Sequence, residues 1–324
     1  MGVQSIWLTV VVLVFVDSSL ANPLLEGGIT GRTLSTPNMK CNTRSSAKRV
    51  TLSHSVIYDS NSQNCAYTIR AFSTRVCQLR VDFLYFDLDQ PTASRRPYAS
   101  CEGDHLTING LNFDLCGILV NQHVYVPFDV QRLTDELVLD FQIGSNKFAI
   151  WNMEVNQIEC SHKAALVTPD ERQAPDGCLQ YFYHSNGQVQ SFNFGHNYFG
   201  NTQYAICFNR NYNPNAILEL EGIDFNMDGN LGGGTPPGFD NDCLDSSGAA
   251  ANNKKDYIAI PFAAVTDPAG PVVYHSLFCL QSLDSKILEF SGTGPMVIHV
   301  NTDQITDATA NEEGFRFRYQ VRRR

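Results

Sequence analysis

The sequence holds no His-Glu-x-x-His string, no Gly-Asp-Ser-Gly, no Cys-x-x-Cys and no glycine loop that leads into a helix. Each absence removes a chemistry. A zinc protease needs two histidine ligands and a glutamate base on one helical face. A trypsin-like enzyme needs its serine in that glycine-rich setting. Zinc knuckles and thioredoxin-type redox sites need closely spaced cysteine pairs. Gly232-Gly233-Gly234 runs into Thr235-Pro236-Pro237, which does not open a phosphate-cradling helix. The eight histidines are scattered from His54 to His299 and read as surface or satisfied strand residues. No catalytic residue is expected.

Basic residues are also scarce. Lys and Arg number 23 against 33 Asp and Glu, a net charge of −10 spread along the chain. That balance argues against nucleic acid, which needs a basic face. No Asn-x-Ser/Thr sequon is present, so N-glycosylation is not expected. No run is long enough to span a bilayer, which takes about 20 apolar residues. The apolar stretch Ile6–Val16 is too short, and Ser19-Leu20-Ala21 follows it as a small-x-small cleavage site. Residues 1–21 therefore read as a signal peptide, with Asn22 the mature N-terminus. Gly2 has Ile6 rather than Ser or Thr four residues on, which excludes myristoylation. The chain is expected to be secreted and extracellular, with no membrane span.

What is present fits that compartment. Ten cysteines, an even number, imply five disulfides in an exported protein. No segment sustains a 3.6-residue period. Cys77, Leu79, Val81, Phe83 and Tyr85 alternate with mostly polar residues, as do Leu137, Leu139 and Phe141, and Phe315, Phe317, Tyr319 and Val321. Period two with turn clusters between predicts an all-β chain of antiparallel sandwiches. Residues 22–40 lack periodicity and read as a flexible leader. Residues 161–177, with two prolines and a final Asp-Gly, read as a linker. They divide the cysteines six and four, so disulfides can close within each half. The halves look like a diverged repeat: an opening cysteine (Cys41 or Cys178), a second (Cys65 or Cys207), an acidic segment, a cysteine pair and an aromatic-rich closing strand. Seven aromatics between Tyr181 and Phe199 read as sandwich core. Arg316, Arg318 and Arg322–Arg324 read as a solvated basic face.

Cys101-Glu-Gly-Asp104-His-Leu-Thr-Ile108, followed by Leu115-Cys116-Gly117, resembles the CUB signature of Cys-x-x-Asp, apolar strand, then Leu-Cys-Gly. Phe86 to Asp89 is similar to the family's preceding aromatic-Asp step. The second half is similar through Asp256-Tyr-Ile-Ala-Ile260, Val300-Asn-Thr-Asp303 and Gly314-Phe315-x-Phe317-x-Tyr319. It departs from the pattern by an insertion between Cys243 and Asp256. The resemblance implies two disulfide-stapled, CUB-like jelly-roll sandwiches in tandem, at residues 41–160 and 178–321. It implies disulfides Cys41–Cys65, Cys101–Cys116, Cys178–Cys207 and Cys243–Cys279. Cys77 and Cys160, both on expected strands, are left as the remaining pair.

Acidic clusters are the sharpest chemical feature. Asp224-x-Asn226-x-Asp228-Gly229 matches the first half of an EF-hand loop, but Thr235 stands where the twelfth-position glutamate belongs. Many CUB domains bind calcium through three acids, and the resemblance carries those positions over. In the first half they fall on Asp89 and Asp104, with the third near Gly144 in a shortened loop. In the second half they fall on Asp256 and Asp303, with Asp228, Asn226 or Asp224 for the remaining place. Calcium is therefore expected in the second half rather than the first. The implied function is a non-enzymatic binding or adaptor protein that recognises an extracellular protein or glycan. The alternatives are a regulatory arm or partner of an extracellular protease, which would be a separate subunit, and a structural matrix component.

Overall fold

Alternation along the chain becomes a set of two-faced strands. In the computed structural model the described residues are 36–57, 63–144, 148–160, 170–210, 213–227, 238–244, 256–267, 270–304 and 313–323. The expected signal peptide lies outside them. The first half holds β1 (Asn38–Met39), β2 (Thr43–Ser45), β3 (Arg49–Ile57), β4 (Gln63–Arg70), β5 (Val76–Asp87), β6 (His105–Ile108), β7 (Gln122–Pro127), β8 (Glu136–Ile143) and β9 (Phe148–Glu159). The second holds β10 (Cys178–Phe182), β11 (Asn186–Gln190), β12 (Gln203–Phe208), β13 (Ala216–Asn226), β14 (Tyr257–Thr266), β15 (Val273–Phe278), β16 (Ile287–Phe290), β17 (Met296–Asn301) and β18 (Gly314–Arg323).

The first half is a sandwich of two sheets, β1-β3-β9-β5-β7 and β2-β4-β8-β6. Leu137, Leu139, Phe141 and Ile143 of β8 all point into the core, as period two requires. Trp151 stacks on Phe141 with ring centroids 3.9 Å apart, and its Nε1 donates to the Tyr67 hydroxyl at 3.2 Å. The second half repeats both layers, as β10-β12-β17-β14 and β16-β13-β18-β11. Even the parallel pair recurs, β2 with β4 and β10 with β12. Here β14 belongs to both layers. Its start pairs with β17 and its end with β16, and it turns at Phe262, which has φ +50° and is solvent-exposed. Edge strand β15 is added beside it.

The disulfides join Cys41–Cys65, Cys77–Cys160, Cys101–Cys116, Cys178–Cys207 and Cys243–Cys279. The all-β, tandem-sandwich expectation holds. Three local expectations differ. Residues 38–39, expected in a flexible leader, form β1, and Met39 is buried against the first core. The outward arginines of β18 are no free basic face: Arg316 pairs with Asp224, Arg318 with Glu221, and Arg322 with Glu219 and Glu289. Antiparallel register sets these acids beside them on β13 and β16.

The third difference concerns the linker. Residues 161–169 lie outside the described residues, but 170–177 pack against the first half. The Gln78 carboxamide donates to Ala174 O at 2.8 Å and accepts from Ala174 N at 3.1 Å, and the Tyr125 hydroxyl donates to Arg172 O at 2.8 Å. From Thr36 to Arg324 the chain is one compact unit. Phe192 and Phe199 of the second half are buried in the first half's core cluster, with Phe113 at 6.2 and 5.8 Å.

Candidate functional site

The expected acids sit where loops meet strand ends. In the first half Asp104 immediately precedes β6 and is 1% exposed. Its Oδ1 accepts the amide of Gly144, the residue after β8, at 2.7 Å, and its own amide donates to Asp89 Oδ2 at 3.0 Å. Asp89, Asp104 and Gly144 are thus brought together. Gly103 has a steric reason: a Cβ there would stand 2.2 Å from Asp89 Oδ2. The third position supplies a backbone amide and no carboxylate.

In the second half Asp256 immediately precedes β14 and is 2% exposed. Its Oδ1 accepts the amide of Asp303 at 2.5 Å, and its Oδ2 accepts the Tyr198 hydroxyl at 2.5 Å. Asp303, 7% exposed, follows β17. The same backbone connection therefore recurs, with an aspartate in place of Gly144. Thr202 and Thr302 brace this corner, the Thr202 amide donating to Thr302 Oγ1 at 2.8 Å. Sequence reasoning missed Tyr198, which reaches Asp256 from 58 positions away; no local pattern marks it.

Two carboxylates brought to one loop end fit part of a calcium shell, which takes six to eight oxygens. Asp228, a candidate for the third acid, lies outside the described residues. Asp224 is engaged elsewhere, by Arg316 at 2.5 Å. Among the described residues no group of three or more His, Cys, Asp or Glu is placed to hold a metal. The His275 Nδ1–Asp240 Oδ2 contact of 2.8 Å serves the fold, since Asp240 Oδ1 also takes the amides of Ser276 and Leu277 and so pins β15.

The seam between the halves is polar as well as aromatic. Asn193 is fully buried. Its Oδ1 accepts the Ile118 amide at 2.9 Å, and its Nδ2 donates to Gln90 Oε1 at 2.9 Å and Asn197 O at 2.8 Å. The Tyr181 amide donates to His123 Nε2 at 3.0 Å. Burial, with the Arg80 guanidinium nearby, lowers the His123 pKa to about 3. Burial pushes the Tyr125 hydroxyl up to about 12 despite that same guanidinium.

Residues 175–322 match the family model of the animal CUB domain. The match falls on the half that departs from the signature by an insertion. Among solved structures, the CUB1-EGF-CUB2 domains of rat MASP-1 align with 11% identity over 86% of this chain and 99% of that one, at a TM-score of 0.28. The CUB1-EGF-CUB2 domain of human MASP-1/3 aligns with 11% identity over 85% and 100%, at 0.27. The full extracellular region of zebrafish Gpr126/Adgrg6 aligns with 11% identity over 88% of this chain and 36% of its own, at 0.27. No curated protein matches the chain in sequence. CUB domains are protein-interaction modules, generally non-catalytic and typical of extracellular proteins, and no helix among the described residues is long and apolar enough to cross a membrane. What the family model supports is a likeness of residues 175–322 to the animal CUB domain.

Proposed function

We propose that the chain is a secreted, non-enzymatic binding or adaptor protein, in which the first half acts as a second CUB-like domain. The observation that carries this reading is the repeated strand order: the half matched by the CUB model and the half before it share both layers and the parallel edge pair. Five disulfides support an oxidising compartment. The partner on this reading is an extracellular protein or glycan. Calcium, held by Asp256 and Asp303 with Asp228 as third acid, would neutralise converging carboxylates and tie the loops at that end.

Affinity capture with the immobilised chain in extracellular fluid, with and without a calcium chelator, tests the reading. A saturable partner, released by the chelator if calcium shapes the binding surface, is the expected result. Recovery of a protease as principal partner would move the reading to a regulatory arm. Turnover of any captured component by the chain itself would sink it.

A further inference from the structure

Between β5 and β6 the chain leaves the first sandwich as a protruding loop. Pro91 and Ala99 are buried at its two ends. Residues 92–97 are all exposed, the longest unbroken run of exposed residues among those described. Thr92 and Ser100 close the neck by exchanging both backbone hydrogen bonds, at 2.9 and 3.0 Å. Beyond that neck, residues 93–98 make no backbone-to-backbone bond among the described residues. Proteases nick folded chains at such exposed loop tips, where no sheet has to open first.

The side chains select the protease class. An enzyme that cuts after arginine takes the guanidinium into a pocket that carries a carboxylate. An arginine already engaged must first give up its partner. Most of the described arginines lie on strands, with their backbone committed to sheet bonds. Of the rest, Arg75 pairs with Glu159, Arg132 with Asp135 and Arg172 with Asp170, and Arg210 donates to the Gly294 carbonyl. Arg96 donates to the Tyr98 hydroxyl at 3.1 Å and lies over its ring. At Arg95 the backbone amide donates to Glu102 Oε1 at 2.8 Å, and the guanidinium has no hydrogen-bond or ion-pair partner among the described residues. Pro97 narrows the choice further. The Arg96–Pro97 amide nitrogen carries no hydrogen and is enclosed in the proline ring, which makes it a poor leaving group in a protease cleft. The Arg95–Arg96 bond is the one presented.

We propose that the Arg95–Arg96 peptide bond is a processing site for an arginine-specific extracellular serine protease. One water is consumed. Its hydroxyl joins the Arg95 carbonyl carbon as the C–N bond breaks, and its hydrogen goes to the Arg96 nitrogen. At neutral pH the new acid's proton passes to that amine, leaving a carboxylate and an ammonium. The Arg96 nitrogen already donates to Glu102 Oε1 at 3.2 Å. Hydrogen bonds, that of the Ser94 hydroxyl foremost, hold the Glu102 carboxyl below its ordinary range, so the new ammonium meets a charged partner. Cys77 precedes the cut and Cys160 follows it, and their disulfide keeps the two pieces joined. The loop's neck and its buried ends lie outside the cut, so the cut chain stays folded. The inference stands apart from the binding-protein reading.

Brief incubation of the intact, unreduced chain with an arginine-specific serine protease tests it, read by gels with and without reductant and by N-terminal sequencing. The first cut should leave one band without reductant and two with it, and the new piece should begin Arg96-Pro97-Tyr98. Arg95→Gln should slow that cut about a hundredfold, because the enzyme's pocket loses its charged partner. Melting of that variant should be unchanged, since the side chain is exposed and makes no bond to lose. Arg96→Gln should leave the cut in place. Protein recovered from extracellular fluid and then reduced should show the same Arg96 terminus. A first cut at any other arginine, a cut that survives Arg95→Gln, or the absence of the Arg96 terminus from the recovered protein would overturn the proposal.

Discussion

The two halves share one strand order but close the corresponding corner in different ways. In the first half the start of β5 meets the end of β9, and the disulfide Cys77–Cys160 joins them. In the second half the start of β13 meets the end of β18, and Arg322 pairs there with Glu219 and Glu289. One corner is covalent and closes a separation of 83 residues; the other is a half-exposed ion-pair cluster. The sheets differ as well. β6 has four residues and stays in one layer, whereas β14 has ten and serves two. A repeat can therefore keep its topology while exchanging the means of fastening, because strand order depends on apolar alternation and the fastening depends on a few edge residues.

The sharpest way to break this comparison is to cut both corners. The double substitution Cys77→Ala with Cys160→Ala should cost about 4 kcal/mol, since it frees a long loop in the unfolded chain. Arg322→Ala should cost less than about 1 kcal/mol, as solvent-screened pairs do. Chemical denaturation of both variants checks this, and equal losses would mean the corners are equivalent.

The acid ends give a second contrast, between Gly144 and Asp303 at the same connection. On the calcium proposal, saturating calcium should stabilise the chain by about 2–3 kcal/mol at a hundred times its dissociation constant. Asp303→Ala should erase that gain, and Asp104→Ala should leave it in place. Gly144→Asp should add a calcium response to the first half. Melting curves in calcium and in chelator decide, and an indifferent wild-type curve removes the site.

A third contrast, read in the pH dependence of stability, lies at the seam. His123 carries a folded pKa of about 3 against an ordinary 6.5. Below pH 6.5 the unfolded chain takes up a proton that the folded chain refuses until about pH 3. Stability full above pH 6.5 is thus lost as pH falls through that window, by about 1.4 kcal/mol per unit. His123→Gln should flatten the slope of stability between neutral pH and pH 5, above the range where carboxylates titrate. An unchanged slope would show that burial does not hold His123 neutral in the folded chain.

Much of the fold was legible because its signals are local. Leu137, Leu139 and Phe141 announce a strand with one buried face whatever packs on it, and Phe315 to Val321 do the same. The acid positions were legible only through family resemblance, and their surroundings were not. Tyr198 reaches Asp256 from a distant loop, and Arg316 removes Asp224 from the candidates through cross-strand register. The seven aromatics of Tyr181–Phe199 read as sandwich core, yet Phe192 and Phe199 are buried in the other half's core.

By itself the sequence determined a β chain of alternating strands, an even set of cysteines suited to an oxidising compartment, a repeated layout and the absence of the strings that mark familiar enzymes. Tertiary structure alone decided that residues 170–177 pack rather than merely connect, that β14 serves both layers, and that Phe192 and Phe199 of the second half are buried in the first half's core. The reason is physical. Alternation and turn chemistry act over a few residues, and any chain with that pattern will show them. Docking depends on the shape and hydrogen-bonding of two finished surfaces, and their residues become neighbours only after both sandwiches have closed.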